Sequence, residues 1–241
     1  MAEVTAPAAT ADPRAPRERD RKRLPPLRKI TIRRLTEAQA AAVPVTIQTE
    51  ADGSALLARK QALRGTTVTA LLAELLARTL VEHPDLNCAL DGEELVRFAD
   101  VNLGIAVALE DGNLSLPIVH RAQERELPDL GAAIADVSAR AREGKLGLED
   151  VRGGTFTLSN VGMLMPALWG APLIPLGQAG IVLTGGFLER PVVRDGAVVP
   201  GCVLPISFTF DHRLVNGAPA LAFLRALVAA IEQPAAADRP S

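Results

Sequence analysis

A long amphipathic segment runs from Thr66 to Glu82 and limits the folds that are open to this chain. Leucine and valine recur there at three- and four-residue spacing, which is the period of one helical face, and Thr66 or Thr67 offers an N-cap hydroxyl. An apolar face of this length has to be covered by another layer of structure, and we expect that layer to be a sheet.

The other patterned segments place helices and strands in groups rather than in strict alternation. Helices are predicted from Arg28 to just before Pro44, with Ile30, Leu35 and Ala38 on one side, and at 128–143 and 216–232. Strands are predicted at 45–52, 94–97, 100–109, 114–119, 155–159, 179–187, 191–194 and 198–210. Asp-Gly pairs at 91–92, 111–112 and 195–196 favour hairpin turns. This grouping predicts an α+β fold with a mixed or antiparallel sheet covered by helices.

The first 26 residues differ in composition from the rest. Ala, Pro, Arg and acidic residues mix there without a period, which predicts a disordered tail at 1–26 followed by one domain at 27–241. Residues 1–34 carry a net charge of +6 and the remaining 207 residues a net charge of −8. Because no aromatic residue interleaves with the basic ones, solubilising disorder is favoured over a nucleic-acid arm. We therefore expect no nucleic-acid partner.

Cysteines and hydropathy narrow the class further. Cys88 and Cys202 lie far apart and outside any C-x-x-C spacing, which indicates neither a disulfide framework nor a zinc site. The sequence shows neither a signal peptide nor an apolar run of about 18 residues that would span a membrane. The expectation is a cytoplasmic protein with no metal and no membrane partner.

Of the three histidines, only His212 lies where an apolar strand passes into a helix, a junction at which active sites are often built. Considered alone, a catalytic role for His212 and a structural role as a hydrogen-bonded core residue have equal weight. His83 is interpreted as a cap at a helix end and His120 as a surface loop residue.

The sequence around this histidine, Ser207-Phe-Thr-Phe-Asp211-His212-Arg213-Leu-Val-Asn216-Gly217, resembles the D-H-R-x-x-[D/N]-G signature of dihydrolipoamide acyltransferases. It is more distantly similar to the H-x-x-x-D-G signature of chloramphenicol acetyltransferases. Five further blocks, at 28–37, 84–92, 101–107, 144–146 and 153–162, resemble the same family in the same order. The resemblance covers about residues 27–233 and implies a chloramphenicol-acetyltransferase-like two-layer sandwich.

The family resemblance also implies roles for individual residues. His212 would be the general base that deprotonates the acceptor directly, and acetyl-CoA would be the acyl donor. Ser159 would donate a hydrogen bond to the oxyanion, although a strand-end hydroxyl that caps local backbone remains the alternative. Asn216 stands where many relatives have Asp and would organise the site by pairing with backbone or with an arginine, for which Arg28 and Arg34 are the candidates.

Three neighbours of the histidine are expected to support it. Asp211 and Arg213 are interpreted as a structural pair, and Gly217 as leaving room at the start of a helix. The family further implies a homotrimer in which the histidine of one subunit faces a channel completed by its neighbour, with assembly into a 24-mer left open.

Three functions follow from the resemblance. The first is a free-standing enzyme that acetylates a hydroxyl of a small molecule in natural-product biosynthesis, such as a tetronate intermediate. The second is the dihydrolipoamide acyltransferase core of a 2-oxo-acid dehydrogenase complex, using lipoyl domains in trans. The third, a non-catalytic scaffold, is disfavoured by the presence of His212 and Ser159. The first is preferred because a lipoyl domain cannot fit into 26 residues, so we expect no lipoyl group on this chain.

Two departures from the family pattern concern the pocket. Val43-Pro44 stands where relatives have Pro-His, so one wall of the acceptor channel is expected to differ. The segment from Met163 to Gly177 is rich in Pro, Leu and Ala and one residue longer than in a pyruvate-type relative, which predicts a reshaped pocket.

Overall fold

A computed structural model describes residues 19–234, with the side chain of Leu27 excepted. Most of the predicted tail, residues 1–18, lies outside the described part of the chain. Residues 19–25 carry no regular structure and lead directly into the first helix.

Between residues 19 and 234 the fold contains five α-helices and eleven strands. The helices are α1 (Pro26–Ala40), α2 (Ser54–Ala62), α3 (Val68–Glu82), α4 (Leu127–Arg142) and α5 (Gly217–Glu232). The strands are β1 (Pro44–Asp52), β2 (Cys88–Asp91), β3 (Glu94–Arg97), β4 (Leu103–Ile105), β5 (Val107–Ala108), β6 (Leu114–Ser115), β7 (Ile118–Val119), β8 (Phe156–Asn160), β9 (Gly180–Thr184), β10 (Leu188–Arg194) and β11 (Ala197–Asp211).

The main sheet has seven strands and is mixed, which confirms the predicted class. Six strands follow the order β1-β11-β9-β8-β4-β7, and β10 pairs with the first part of β11. β8 runs parallel to β9 and β4, whereas β11 runs antiparallel to β9 and β1. The C-terminal end of β11 therefore lies at the end of the sheet where β8 and β9 begin. The C-terminal end of β8 lies at the opposite end of the strands.

One face of this sheet is covered by helices around an aromatic cluster. Phe208 of β11 and Phe156 of β8 pack against Phe223 of α5, with ring centroids 5.0 and 5.8 Å apart. All three side chains are fully buried. Because side chains alternate along a strand, Ser207 and Ser159 point to the opposite face.

The helix that was predicted first is confirmed in detail. α3 begins after Thr67, whose hydroxyl accepts a 3.1 Å hydrogen bond from the backbone N–H of Ala70. Its leucine face is buried, and the helix packs against α4 and α5. A threonine side chain at this position satisfies one of the free amides of the first turn.

Some predicted elements differ from the structure. α2 and β2 were not predicted, because α2 buries only Leu56 fully and β2 has a single fully buried residue, Cys88. The strand predicted at 114–119 is divided into β6 and β7 next to Pro117, which has no N–H for a ladder bond. The strand predicted at 100–109 is likewise divided into β4 and β5.

α1 forms nearly where it was predicted but buries little of itself. Ile30 and Leu35 are exposed, and only Ala38 of the predicted apolar side is buried. The apolar spacing therefore predicted the helix correctly, but not a partner for it within the described chain.

Candidate active site

His212 lies directly after β11 and its side chain is exposed. Its backbone N–H donates a 2.9 Å hydrogen bond to the carbonyl oxygen of Val43, which precedes β1. Its ring lies 5.7 Å from the ring of Phe210, centroid to centroid. Within residues 19–234 no hydrogen bond occupies either imidazole nitrogen, so the ring is supported on one side and open to a substrate on the other.

The backbone around His212 is held by the buried carboxylate of Asp211. This carboxylate accepts hydrogen bonds from the backbone N–H groups of Val43 and Arg213, both 3.1 Å long, and from the Arg213 guanidinium. Arg213 also donates to the carbonyl oxygen of Ala41. Burial raises the pKa of the Asp211 carboxyl, but these hydrogen bonds outweigh burial, so its pKa lies below the ordinary value.

Asn216 lies four residues after His212 and is the N-cap residue of α5. Its side chain makes no capping hydrogen bond and is exposed, so the amide remains available on the outside of the protomer. Gly217 begins the helix, and a Cβ placed there would meet no atom within 4 Å. Both residues leave the surface beside His212 uncovered.

The two arginines of the opening helix lie elsewhere. Arg28 Nη1 donates a 3.3 Å hydrogen bond to the side chain of Asn113, in the turn between β5 and β6. Arg34 is exposed on α1. In the described part of one protomer, neither arginine is hydrogen-bonded to Asn216.

Ser159 lies near the end of β8 and is almost completely buried, with 9% of its surface exposed. It is in register with Leu183 on β9, which is in register with Ser207 on β11. Its hydroxyl therefore belongs to the face of the sheet that the helices leave free.

That second face is partly covered by the segment 163–177, which we call the apolar loop. Gly170 donates a 3.1 Å hydrogen bond from its N–H to the Ser207 hydroxyl. Just after the loop, the side chain of Gln178 accepts a 2.6 Å hydrogen bond from the Thr157 hydroxyl. Ser159 thus lies on the strand surface that this loop encloses.

Within one protomer the imidazole of His212 and the hydroxyl of Ser159 lie far apart. Ser159 is level with Ser207 two strands away, and His212 lies five residues beyond Ser207. At about 3.3 Å per residue and about 4.8 Å per strand, the two Cα atoms are roughly 19 Å apart. No single reacting carbonyl group can therefore lie beside both side chains within one protomer.

A separate polar cleft contains none of His212, Ser159 and Asn216. It has a volume of about 610 Å³ and is lined by Asp100, Asn102, His120, Arg121, Glu124 and Arg125. Among residues 19–234, no three His, Cys, Asp or Glu side chains come together as metal ligands would. No helix of this part of the chain has both the length and the apolarity of a membrane span.

Sequence reasoning missed the contribution of Val43. Its N–H and its carbonyl oxygen bind the carboxylate of Asp211 and the N–H of His212. Because both contacts are made by the backbone, no side-chain pattern could have indicated them.

Comparison with known families and relatives gives a consistent result. The model of the 2-oxoacid dehydrogenases acyltransferase catalytic domain matches residues 16–237. A Bacillus subtilis dihydrolipoyllysine-residue acetyltransferase component of the acetoin cleaving system is 33% identical over 87% of the chain and 54% of its own length. A probable mitochondrial succinyltransferase component of the 2-oxoglutarate dehydrogenase complex from Schizosaccharomyces pombe is 34% identical over 91% of the chain and 51% of its own length. The chain spans about half the length of these curated relatives.

Solved structures agree with this family. Azotobacter vinelandii dihydrolipoamide acetyltransferase, studied for the roles of a serine, a histidine and an asparagine in its catalytic mechanism, superposes with a TM-score of 0.85 at 28% identity, covering 93% of this chain and 99% of the other. The cubic core of a pyruvate dehydrogenase multienzyme complex gives 0.84 at 28% identity, with the same coverage. A chloramphenicol acetyltransferase, at 0.53 and 15% identity over 83% and 92%, shares the fold.

Proposed function

Because this chain belongs to the 2-oxoacid dehydrogenase acyltransferase family and contains its catalytic domain, we propose that it transfers acyl groups between coenzyme A and the dihydrolipoyl thiol of an oxo-acid dehydrogenase complex. The observation that carries this proposal is the exposed imidazole of His212, held at the end of β11 with both ring nitrogens open. The relatives favour this second expectation of the sequence analysis over acetylation of a small-molecule hydroxyl, to which none of the relatives described above points.

The proposed reaction uses few groups of the chain. A nitrogen of His212 removes the proton from the incoming thiol, and the sulfur attacks the carbonyl carbon of the thioester. The carbonyl oxygen becomes an oxyanion, which accepts a hydrogen bond from the Ser159 hydroxyl. As the carbonyl re-forms, the other carbon–sulfur bond breaks, and the leaving thiolate takes the proton back from the imidazolium.

The proposed assignment of Ser159 and Asn216 is supported by the Azotobacter enzyme, in which a serine, a histidine and an asparagine were studied together. The histidine and the asparagine of that enzyme have the same four-residue spacing as His212 and Asn216. The segment between its serine and its histidine is one residue shorter than here.

The proposed active site lies between two subunits, because the distance between Ser159 and His212 is too long for one protomer to bridge. We propose a homotrimer in which each histidine faces the serine of a neighbour. The similarity to a cubic core supports further assembly of such trimers into a 24-mer. Acetyl as the acyl group, and a location in the cytoplasm, stay predictions from the sequence.

An assay with defined acceptors tests the proposed function. Purified protein is incubated with acetyl-CoA and either dihydrolipoamide or a panel of hydroxylated small molecules, and released CoA is measured. We expect turnover with dihydrolipoamide that His212→Ala abolishes. Turnover with a hydroxyl acceptor alone would replace this proposal with the small-molecule acetyltransferase, and activity that survives His212→Ala would remove the assigned base.

A further inference from the structure

The apolar loop is part of an unusually long uncharged stretch. Between Arg152 and Glu189 the sequence contains no Asp, Glu, Lys, Arg or His, and Ser159 lies within this stretch. Any group bound beside the Ser159 hydroxyl therefore meets only neutral side chains from this part of the protomer.

The turn that follows Ser159 presents large apolar side chains on a fixed backbone. Val161 N–H donates to Thr184 O, and the N–H groups of Leu164 and Met165 both donate to Val161 O. Gly162 lies so close to the residues that follow β9 that a Cβ there would stand 2.7 Å from Gly185 O. Although the backbone is held, the exposed fractions of Met163, Leu164 and Met165 are 101%, 76% and 57%.

Arg190, a cation that stacks on a side chain of the loop, is already paired. The guanidinium of Arg190 lies 4.9 Å above the ring of Trp169. Arg190 also makes a 2.9 Å ion pair with Glu50. This arginine is therefore not a free partner for a carboxylate of a substrate.

The relatives do not decide which acyl group is used. An acetyltransferase and a succinyltransferase match this chain at 33% and 34% identity. The two acyl groups differ in charge, because succinyl carries a terminal carboxylate. A carboxylate placed against an apolar wall loses hydration, and without a nearby cation no ion pair offsets that cost in free energy.

We propose that Met163, Leu164 and Met165 form the wall that contacts the acyl group, and that the enzyme selects short uncharged acyl groups and rejects dicarboxylic ones. The inference depends on the proposed function, because Ser159 locates the thioester carbonyl and hence the acyl chain bonded to it. An apolar chain covers these exposed side chains, whereas succinyl would bring an unpaired charge to them.

Butyryl-CoA and succinyl-CoA are the matched probes, since both carry four-carbon acyl groups that differ in a terminal methyl or carboxylate. With dihydrolipoamide as acceptor, we expect kcat/KM for butyryl-CoA to exceed that for succinyl-CoA by about 100-fold or more. Equal or better use of succinyl-CoA would overturn the inference. Loss of transfer from acetyl-, butyryl- and succinyl-CoA alike would instead contradict the proposed function, and this inference with it.

Leu164→Arg tests whether the turn after Ser159 determines which acyl group is used. A guanidinium at this position can pair with the succinyl carboxylate, so we expect the butyryl-to-succinyl ratio to fall about tenfold. The control is Leu148→Arg, since Leu148 is 58% exposed in the segment between α4 and β8, outside the loop. An equal change in both variants would overturn the assignment, as would dissociation of the assembly by Leu164→Arg in size-exclusion chromatography, because the turn would then be a subunit contact.

Discussion

At one end of the central sheet the buried carboxylate of Asp211, paired with the exposed side chain of Arg213, supports an exposed imidazole, whereas at the other end a nearly buried hydroxyl lies beside an uncharged loop. Asp211 and Arg213 hold His212 through hydrogen bonds to residues beside β1. Ser159 is nearly buried, and the turn after it packs closely against the backbone of Gly185 and Gly186. The first end thus offers an exposed proton acceptor, and the second end offers a shielded hydrogen-bond donor.

Removal of the His212 imidazole should have the largest effect on turnover of all the substitutions considered. His212→Ala is expected to lower kcat by about 10²–10⁴-fold, because general-base catalysis contributes about that much. Since the side chain is exposed, the free energy of unfolding should stay nearly constant in urea titrations. His120→Ala is the control, because His120 is also exposed and lies in the separate polar cleft. Comparable losses in the two variants would show that His212 has no special role.

Ser159→Ala should have the next largest effect. Loss of one oxyanion donor typically lowers kcat by about 10²–10³-fold. Because the two residues would act from different subunits, mixing and reassembling the His212→Ala and Ser159→Ala chains should restore part of the activity. Hybrids that stay inactive would contradict a site shared between copies.

Asp211→Asn should affect both stability and turnover. Without the carboxylate, Arg213 loses its charged partner, and we expect a loss of about 2–3 kcal/mol in the free energy of unfolding and about a tenfold lower kcat. Asp136→Asn, which alters an exposed pair with Arg140, should change stability little.

The same pair has a defined pH dependence. Because the pKa of Asp211 is lowered in the folded state, its stabilising contribution is complete above the unfolded pKa of about 3.8 and is lost as the pH falls through the lower folded pKa. The difference in unfolding free energy between wild type and Asp211→Asn should therefore be constant near neutral pH and shrink below about pH 4. A difference that grows in acid would contradict the lowered pKa.

Gly162→Ala should have the smallest effect and act on the serine end. A new Cβ would lie 2.7 Å from both Gly185 O and Gly186 Cα, so the turn has to shift, at a cost of about 1–3 kcal/mol. Gly217→Ala is the matched control because its Cβ meets open space. Thermal or urea unfolding of both variants measures the difference, and equal stability would show that the close approach is not needed.

Much of the fold could be predicted from local sequence. Thr67 and the leucine spacing after it located α3, and Asp195-Gly196 located the turn between β10 and β11, where both residues have positive φ. Weakly patterned elements such as α2 were missed, because a short helix that buries little carries little periodic signal.

Local sequence was enough to predict the family and the group around His212, because residues 211–217 are contiguous, and periodic apolar spacing was enough to predict the core helices. The folded structure was needed to show that Ser159 lies at the opposite end of the strands from His212, and that the backbone of Val43 holds the backbone of His212. Those relations depend on strand order and register, which join residues far apart in the chain through backbone hydrogen bonds that any side chain permits.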